Sequence, residues 1–193
     1  YGIPSYRRAE RQKTLDCLES LGIRQEQIWL SVQDEQDYEE YRAAGVDKRV
    51  GRFIYAPGKC AADNRNTLLS NVKMGGWICL LEDDIKWFGR AVDKKWEKIT
   101  TAQELDGIAQ EMVARCELRG TVLAGMTQLS NAYFSSARIR ERALFDGSWM
   151  LVKRCGLRFD NSIPMFDDSE YCLKVMRRYG RLQMYDYYHA EHD

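Results

Sequence analysis

The segment Trp77-Ile78-Cys79-Leu80-Leu81 is an uninterrupted apolar run that passes directly into Glu82-Asp83-Asp84. A strand without polar alternation must be covered on both faces, which places it in the middle of a mostly parallel sheet with helices on either side. Gly75-Gly76 turns the chain into the run. Three acids at the end of a buried strand repel one another and need a compensating charge. A hard divalent cation bridging to phosphate oxygens supplies it, so Mg²⁺ or Mn²⁺ is the expected guest. Asp84 is the first choice of ligand, with Glu82 on a ribose or a metal-bound water. An acidic loop that merely caps the next segment is the plainer alternative, and the buried strand before it argues for the site.

The remaining pattern alternates short strand-like runs with longer helical ones, as a layered α/β domain does. Strands are expected at 1–4, 28–32, 52–55, 77–81, 122–124, 143–145 and 149–152, and helices at 8–21, 34–44, 61–73, 101–117 and 168–179. Leu15, Leu18 and Leu21 share one face of the first helix, and Gly22 stops it. A length of 193 residues with 45% hydrophobic content fits one domain spanning 1–193.

Lys plus Arg and Asp plus Glu each number 29, so the bulk charge demands neither a nucleic acid nor a membrane. Cys17, Cys60, Cys79, Cys116, Cys155 and Cys172 form no C-x-x-C pair and sit largely among apolar residues, which favours reduced thiols and a cytoplasmic setting. No stretch reaches the roughly 20 apolar residues of a membrane helix. The chain opens on Tyr1 inside a strand pattern, so an address or further domain outside it stays open.

In open α/β sheets ligands bind beyond the carboxyl ends of strands, where helix N-termini present free N–H groups. Pro4-Ser5-Tyr6, Gln33-Asp34-Glu35, Pro57-Gly58-Lys59 and Glu82-Asp83-Asp84 all fall at such ends. Within Gly58 to Asn66, Arg65 can reach a phosphate and Asp63 or Asn64 a base edge, although a helix cap with a surface arginine explains the segment equally. Asp167-Asp168-Ser169-Glu170 opens the last helix. A carboxylate there can deprotonate an acceptor hydroxyl, and Asp167 with Glu170 also has capping-box spacing, so base and cap both stand. His189 and His192 can complete the shell of a cation held by distant carboxylates, or simply lie at the surface.

Ile3-Pro4-Ser5-Tyr6-x-Arg8, the Gly58 to Asn66 segment, Leu81-Glu82-x-Asp84 and Asp167-Asp168 together resemble the GT-A (Rossmann-like) glycosyltransferase pattern over nearly the whole chain. The resemblance implies a mixed, mostly parallel sheet flanked by helices and a nucleotide-sugar donor, UDP-linked, held with Mn²⁺ or Mg²⁺. It places Pro4, Ser5, Tyr6 and Asp34 around a uracil-like ring and the D-x-D segment on metal and diphosphate; joined to the residue readings above, this puts Arg8, Asp63, Arg65, Glu82 and Asp83 on the donor and Asp84, with His189 and His192, on the metal. Asp168, beside Asp167, is the implied base. Glu82 departs from D-x-D in the first position, which puts the ribose contact in doubt.

Within GT-A enzymes the opening I-P-S-Y-x-R, the G-x-x-x-A-x-x-R-N segment and E-D-D-I look most like the phage and bacterial TET/JBP-associated glycosyltransferases. That implies hydroxymethylated pyrimidines in DNA as acceptor. Arg138, Arg140, Arg142, Lys153, Arg154 and Arg158 are then the candidates for phosphate contacts. Tyr133, Phe134, Trp149 and Phe166 are the candidates for stacking on a flipped base. Two rivals stand beside this reading: a sugar-nucleotide nucleotidyltransferase, whose glycine-rich basic loop Pro4-Ser5-Tyr6-Arg7-Arg8 lacks, and a non-catalytic nucleotide- or DNA-binding module.

Overall fold

The computed structural model describes residues 1–163 and 165–192. The first half alternates strand and helix: β1 (Gly2–Ser5), α1 (Lys13–Ser20), β2 (Trp29–Val32), α2 (Glu35–Ala43), β3 (Arg52–Tyr55), α3 (Ala61–Asn71) and β4 (Trp77–Leu81). These four strands are parallel, in the order β3-β2-β1-β4. A hairpin of β5 (Trp87–Val92) and β6 (Lys95–Lys98) follows, then α4 (Ala102–Arg119), β7 (Leu123–Thr127), β8 (Ile139–Arg140), β9 (Trp149–Lys153), α5 (Asp167–Tyr179) and β10 (Gln183–Glu191).

One sheet runs in the order β3-β2-β1-β4-β9-β7-β10-β5-β6, with β8 paired to β10. Strands β1, β2, β3, β4, β6, β7 and β10 point one way, and β5, β8 and β9 the other. The chain therefore adopts the mixed, mostly parallel α/β sheet flanked by helices that its strand and helix pattern predicts.

The apolar run of β4 explains its central place. Cys79 and Leu81 face a cluster with Leu15 and Leu18 of α1, Tyr41 of α2 and Met112 of α4. Ile78 and Leu80 face the opposite cluster, with Leu68 of α3 and Tyr171 and Val175 of α5. Alternate residues thus feed two cores, and each fully buried leucine contributes about 1.5–3 kcal/mol of burial. Helix α4 starts at Thr101, whose side chain accepts from Glu104 N at 3.2 Å, and ends at Gly120 with φ +64°.

Several expectations are corrected. Helix α1 begins at Lys13, not near Arg8, because Arg7 has φ +53° and Arg8 O accepts from Arg11 N at 2.9 Å, making a turn. Residues 143–145 form no strand; Phe145 instead packs its ring over Gly125, where a Cβ would stand 2.3 Å from the ring. The β5–β6 hairpin and β10 have no counterpart in the expected elements. β10 leaves β7 through a register slip between Tyr185 and His189 and continues against β5, carrying its end beyond β7.

The six cysteines are free thiols. Among the described residues no helix is long and apolar enough to cross a membrane.

Candidate active site

Because the parallel strands share a direction, Ser5, Val32, Tyr55 and Leu81 end at one edge of the sheet. The antiparallel β9 starts at the same edge, with Trp149 opposite Leu81. The acids after β4 therefore meet the loop after β1 and the Asp146-Gly147-Ser148 turn before β9. A cleft of about 380 Å³ opens there, lined by Pro4, Ser5, Tyr6, Arg8, Asn64, Arg65 and the three acids Glu82, Asp83 and Asp84.

Asp83 turns toward β1. Its Oδ2 accepts from Ser5 Oγ at 2.6 Å and from Tyr6 N at 3.4 Å, and its Oδ1 lies 2.8 Å from Arg8 Nη1. The same Arg8 nitrogen lies 3.1 Å from Asp84 Oδ2. Burial pushes the Asp83 carboxyl up, with Ser5 and Arg8 pulling it back. Thr14 Oγ1 donates to Glu82 O and accepts from Ile85 N, so α1 fixes the backbone on both sides of the acids. Asn64 of α3 donates to Ser5 O at 3.2 Å and closes the other wall.

Glu82 faces the second acidic group. Its carboxyl is pushed up to about 7 by burial first and then by Asp146 and Asp84, while Arg65 and His192 pull it down. Arg65 is almost fully buried, with Nη1 2.6 Å from Asp167 Oδ2 and Nη2 3.9 Å from Glu82 Oε1. Gly147 makes room for it: a Cβ there would stand 2.1 Å from Arg65 Nη2 and 3.3 Å from Glu82 Oε1. Arg65 is therefore a buried strut joining α3, the end of β4 and the start of α5, and it also lines the cleft.

At α5 the capping-box alternative fails. Phe166, with φ +64°, precedes the helix and makes no side-chain cap, while Asp167 spends its carboxylate on Arg65. Asp168 is half-buried, and its Oδ1 accepts from Ser169 N at 2.6 Å, which leaves Oδ2 for another partner.

Two cation-ligand expectations part company. His189 is buried, with Nε2 2.7 Å from Glu191 Oε2 and Nδ1 3.2 Å from Thr127 O, and its ring stacks on Trp96 at 5.0 Å. Neither nitrogen is free for a metal, because the bend in β10 turns that ring into the hairpin. His192, one step past the strand, influences Glu82 and holds a buried Nδ1 without a hydrogen-bond partner among the described residues. Asp84 Oδ1 is likewise buried and unpartnered among the described residues. Among the described residues no three His, Cys, Asp or Glu side chains form a ready-made metal cage.

Asp34 lies outside the acid cleft in an adjoining recess of about 710 Å³ that also takes in Arg7, Arg8 and Arg11. It caps α2, accepting from Asp37 N at 2.7 Å through Oδ1. Asp63 does not reach the cleft. Its carboxylate accepts from Lys59 N at 2.8 Å and Asn161 Nδ2 at 2.9 Å, so it closes the loop before α3 instead of meeting a base.

The proposed cationic groove is divided. Arg140 pairs with Asp186 at 2.7 Å, while Lys153, opposite Trp77 at the far edge of the sheet, pairs with Glu117 at 2.7 Å. Arg154 donates to Ser70 O there at 2.7 Å. Trp149 is core, whereas Tyr133, Phe134 and Phe166 are exposed. Sequence reasoning missed Asp146 and Gly147; their signal was an Asp-Gly-Ser turn immediately before an apolar run, the same strand-edge logic that singled out Glu82.

No family model matches the sequence, and comparison with curated proteins likewise finds no match. Solved structures do match in shape. Residues 1–349 of S. aureus TarS share 11% identity at a TM-score of 0.54, with 97% of this chain and 58% of that one covered. A longer TarS structure gives 12% identity and 0.53, covering 97% and 35%. TarS 1–349 in complex with UDP gives 12% and 0.51, covering 96% and 58%. This chain thus spans little more than half of the shorter TarS chain. The likeness shows a shared fold.

Proposed function

We propose that this chain is a nucleotide-sugar glycosyltransferase that moves a sugar from a UDP-sugar to a hydroxyl acceptor. The observation that carries it is the cleft at the carboxyl edge, where the buried Asp84 Oδ1 has no partner while Arg8 and Tyr6 stand beside it. The UDP seen with TarS supports the donor class.

The donor set fits Mg²⁺ or Mn²⁺. Asp84 offers a hard oxygen and His192 a nitrogen, both buried and unpartnered. A protein share of one or two ligands suits an ion that takes the rest of its shell from phosphate and water. When bound, the cation neutralises the diphosphate as the anomeric bond breaks. Tyr6 and Pro4 border the donor, Asp34 keeps Oδ2 for a base N–H, and Glu82 faces the ribose or a cation-bound water. Asp167 is committed to Arg65, which leaves Asp168 to take the acceptor proton.

Donor turnover is expected to vanish in chelator, to return with Mn²⁺ or Mg²⁺, and to be abolished by Asp84→Ala. Undiminished metal-dependent turnover in that variant would remove the central assignment. Asp168→Asn is expected to lower transfer by about 10²–10⁴-fold while leaving UDP binding intact.

For the acceptor, the TET/JBP-associated resemblance points to hydroxymethylated pyrimidines in DNA. The exposed pair Tyr133 and Phe134, with Lys94 Nζ 4.5 Å from the Tyr133 ring, supports stacking beside a cation. Sugar transfer to hydroxymethylated but not unmodified DNA tests this, and pyrophosphate release would instead point to nucleotidyl transfer. The free thiols suit a cytoplasmic setting.

A further inference from the structure

We propose that Arg8 is the resident cation of the Asp83–Asp84 pair, displaced by a divalent cation that enters together with a nucleoside diphosphate, to which the guanidinium then turns. This rests on the glycosyltransferase reading above. One nitrogen, Arg8 Nη1, bridges Asp83 Oδ1 at 2.8 Å and Asp84 Oδ2 at 3.1 Å. A divalent ion held by Asp84 would draw on the carboxylate that Arg8 now neutralises, so guanidinium and metal would compete for it.

The two partners of Arg8 respond differently to its departure. Asp83 Oδ2 keeps Ser5 Oγ and Tyr6 N, so that carboxylate remains anchored. Asp84 has no partner on Oδ1 among the described residues and would lose its contact on Oδ2. Releasing Arg8 therefore leaves Asp84 a bare carboxylate, open to a cation.

Departure is also mechanically easy. The Arg8 side chain is 41% exposed, against 14% and 17% for Asp83 and Asp84. Its backbone is held independently, with N donating to Tyr41 OH at 3.0 Å and O accepting from Gln12 Nε2 at 2.5 Å. The side chain borders both the acid cleft and the recess shared with Arg7 and Arg11. It can swing between them without unfolding the loop.

A cation alone must move Arg8 off both carboxylates, whereas a cation with diphosphate also brings the guanidinium a new doubly charged partner. Cation and diphosphate affinities are then linked reciprocally. The test is Mn²⁺ binding by calorimetry and electron paramagnetic resonance, without and with UDP, on the wild type, Arg8→Gln and Asp84→Asn. The wild type is expected to bind Mn²⁺ about tenfold more tightly with UDP than without. Arg8→Gln is expected to bind Mn²⁺ alone about tenfold more tightly than the wild type, with most of the UDP enhancement lost. Equal or weaker Mn²⁺ binding by Arg8→Gln in the absence of UDP, while the wild type binds it with UDP, would overturn the displacement and leave the site assignment standing. Absence of Mn²⁺ binding by the wild type even with UDP, or wild-type binding by Asp84→Asn, would remove the site assignment and the displacement with it.

Discussion

Replacing Asp167 by Ala strands a buried arginine. Arg65 Nη1 lies 2.6 Å from Asp167 Oδ2, and the two side chains are only 6% and 9% exposed, so water does not screen the pair. After the change the nearest carboxylate is Glu82 at 3.9 Å, and the Phe159 ring lies 5.7 Å away. Removing one partner of a buried pair costs about 3–5 kcal/mol, mostly the penalty of the charge left behind. At about 2–4 °C per kcal/mol for a domain of this size, the melting midpoint should fall by roughly 6–20 °C. Urea unfolding followed by tryptophan fluorescence measures the loss, and an unchanged m-value shows that it belongs to the native state. The double variant Arg65→Met/Asp167→Leu removes both charges and should recover most of the stability. A loss below about 1 kcal/mol for Asp167→Ala is what an exposed pair would show, and it would refute the strut.

Gly147→Ala should shift both Arg65 and Glu82, since its Cβ would sit 2.1 Å from Arg65 Nη2, costing about 1–3 kcal/mol; a wild-type melting curve with wild-type donor turnover would show that the arginine is not held there. In chelator, Glu82 keeps its proton up to about 7 in the folded protein but ionises near 4.5 when unfolded. The folded state then binds the extra proton, so this contribution to stability is full below pH 4.5, falls as pH rises to about 7 and is flat above. Urea midpoints across that window should lose part of their slope in Glu82→Gln, and an unaltered slope would assign the titration elsewhere. Thr101→Ala removes the cap on Glu104 N and should cost about 1 kcal/mol by the same urea assay, with no effect on UDP binding.

The strands legible in the sequence were those whose burial is symmetrical or whose ends carry strong punctuation. β4 announces itself because Ile78 and Leu80 face one core and Cys79 and Leu81 the other. The β5–β6 hairpin was illegible: Lys94, Lys95 and Lys98 interrupt its apolar pattern, and its turn uses Asp93 and Lys94 at φ +48° and +62° instead of glycine. β10 hid for the opposite reason, since its tyrosines, His189 and Asp186 are polar-tipped yet largely buried. The last turn before α5 misled because capping-box spacing says nothing about a distant arginine that claims the same carboxylate.

By itself the sequence determined the layered α/β order and the edge at which chemistry could sit, because both follow from local periodicity and from where apolar runs end. Tertiary structure alone decided which polar atoms are spent. It gave Asp167 to Arg65, His189 to Glu191 and Asp63 to the loop before α3, left Asp84 Oδ1 unpartnered, and brought Asp146 and Gly147 against Glu82. The reason is that a buried polar group must find a partner somewhere, and that partner can be 102 residues away, as it is for Arg65, where no local spacing records it.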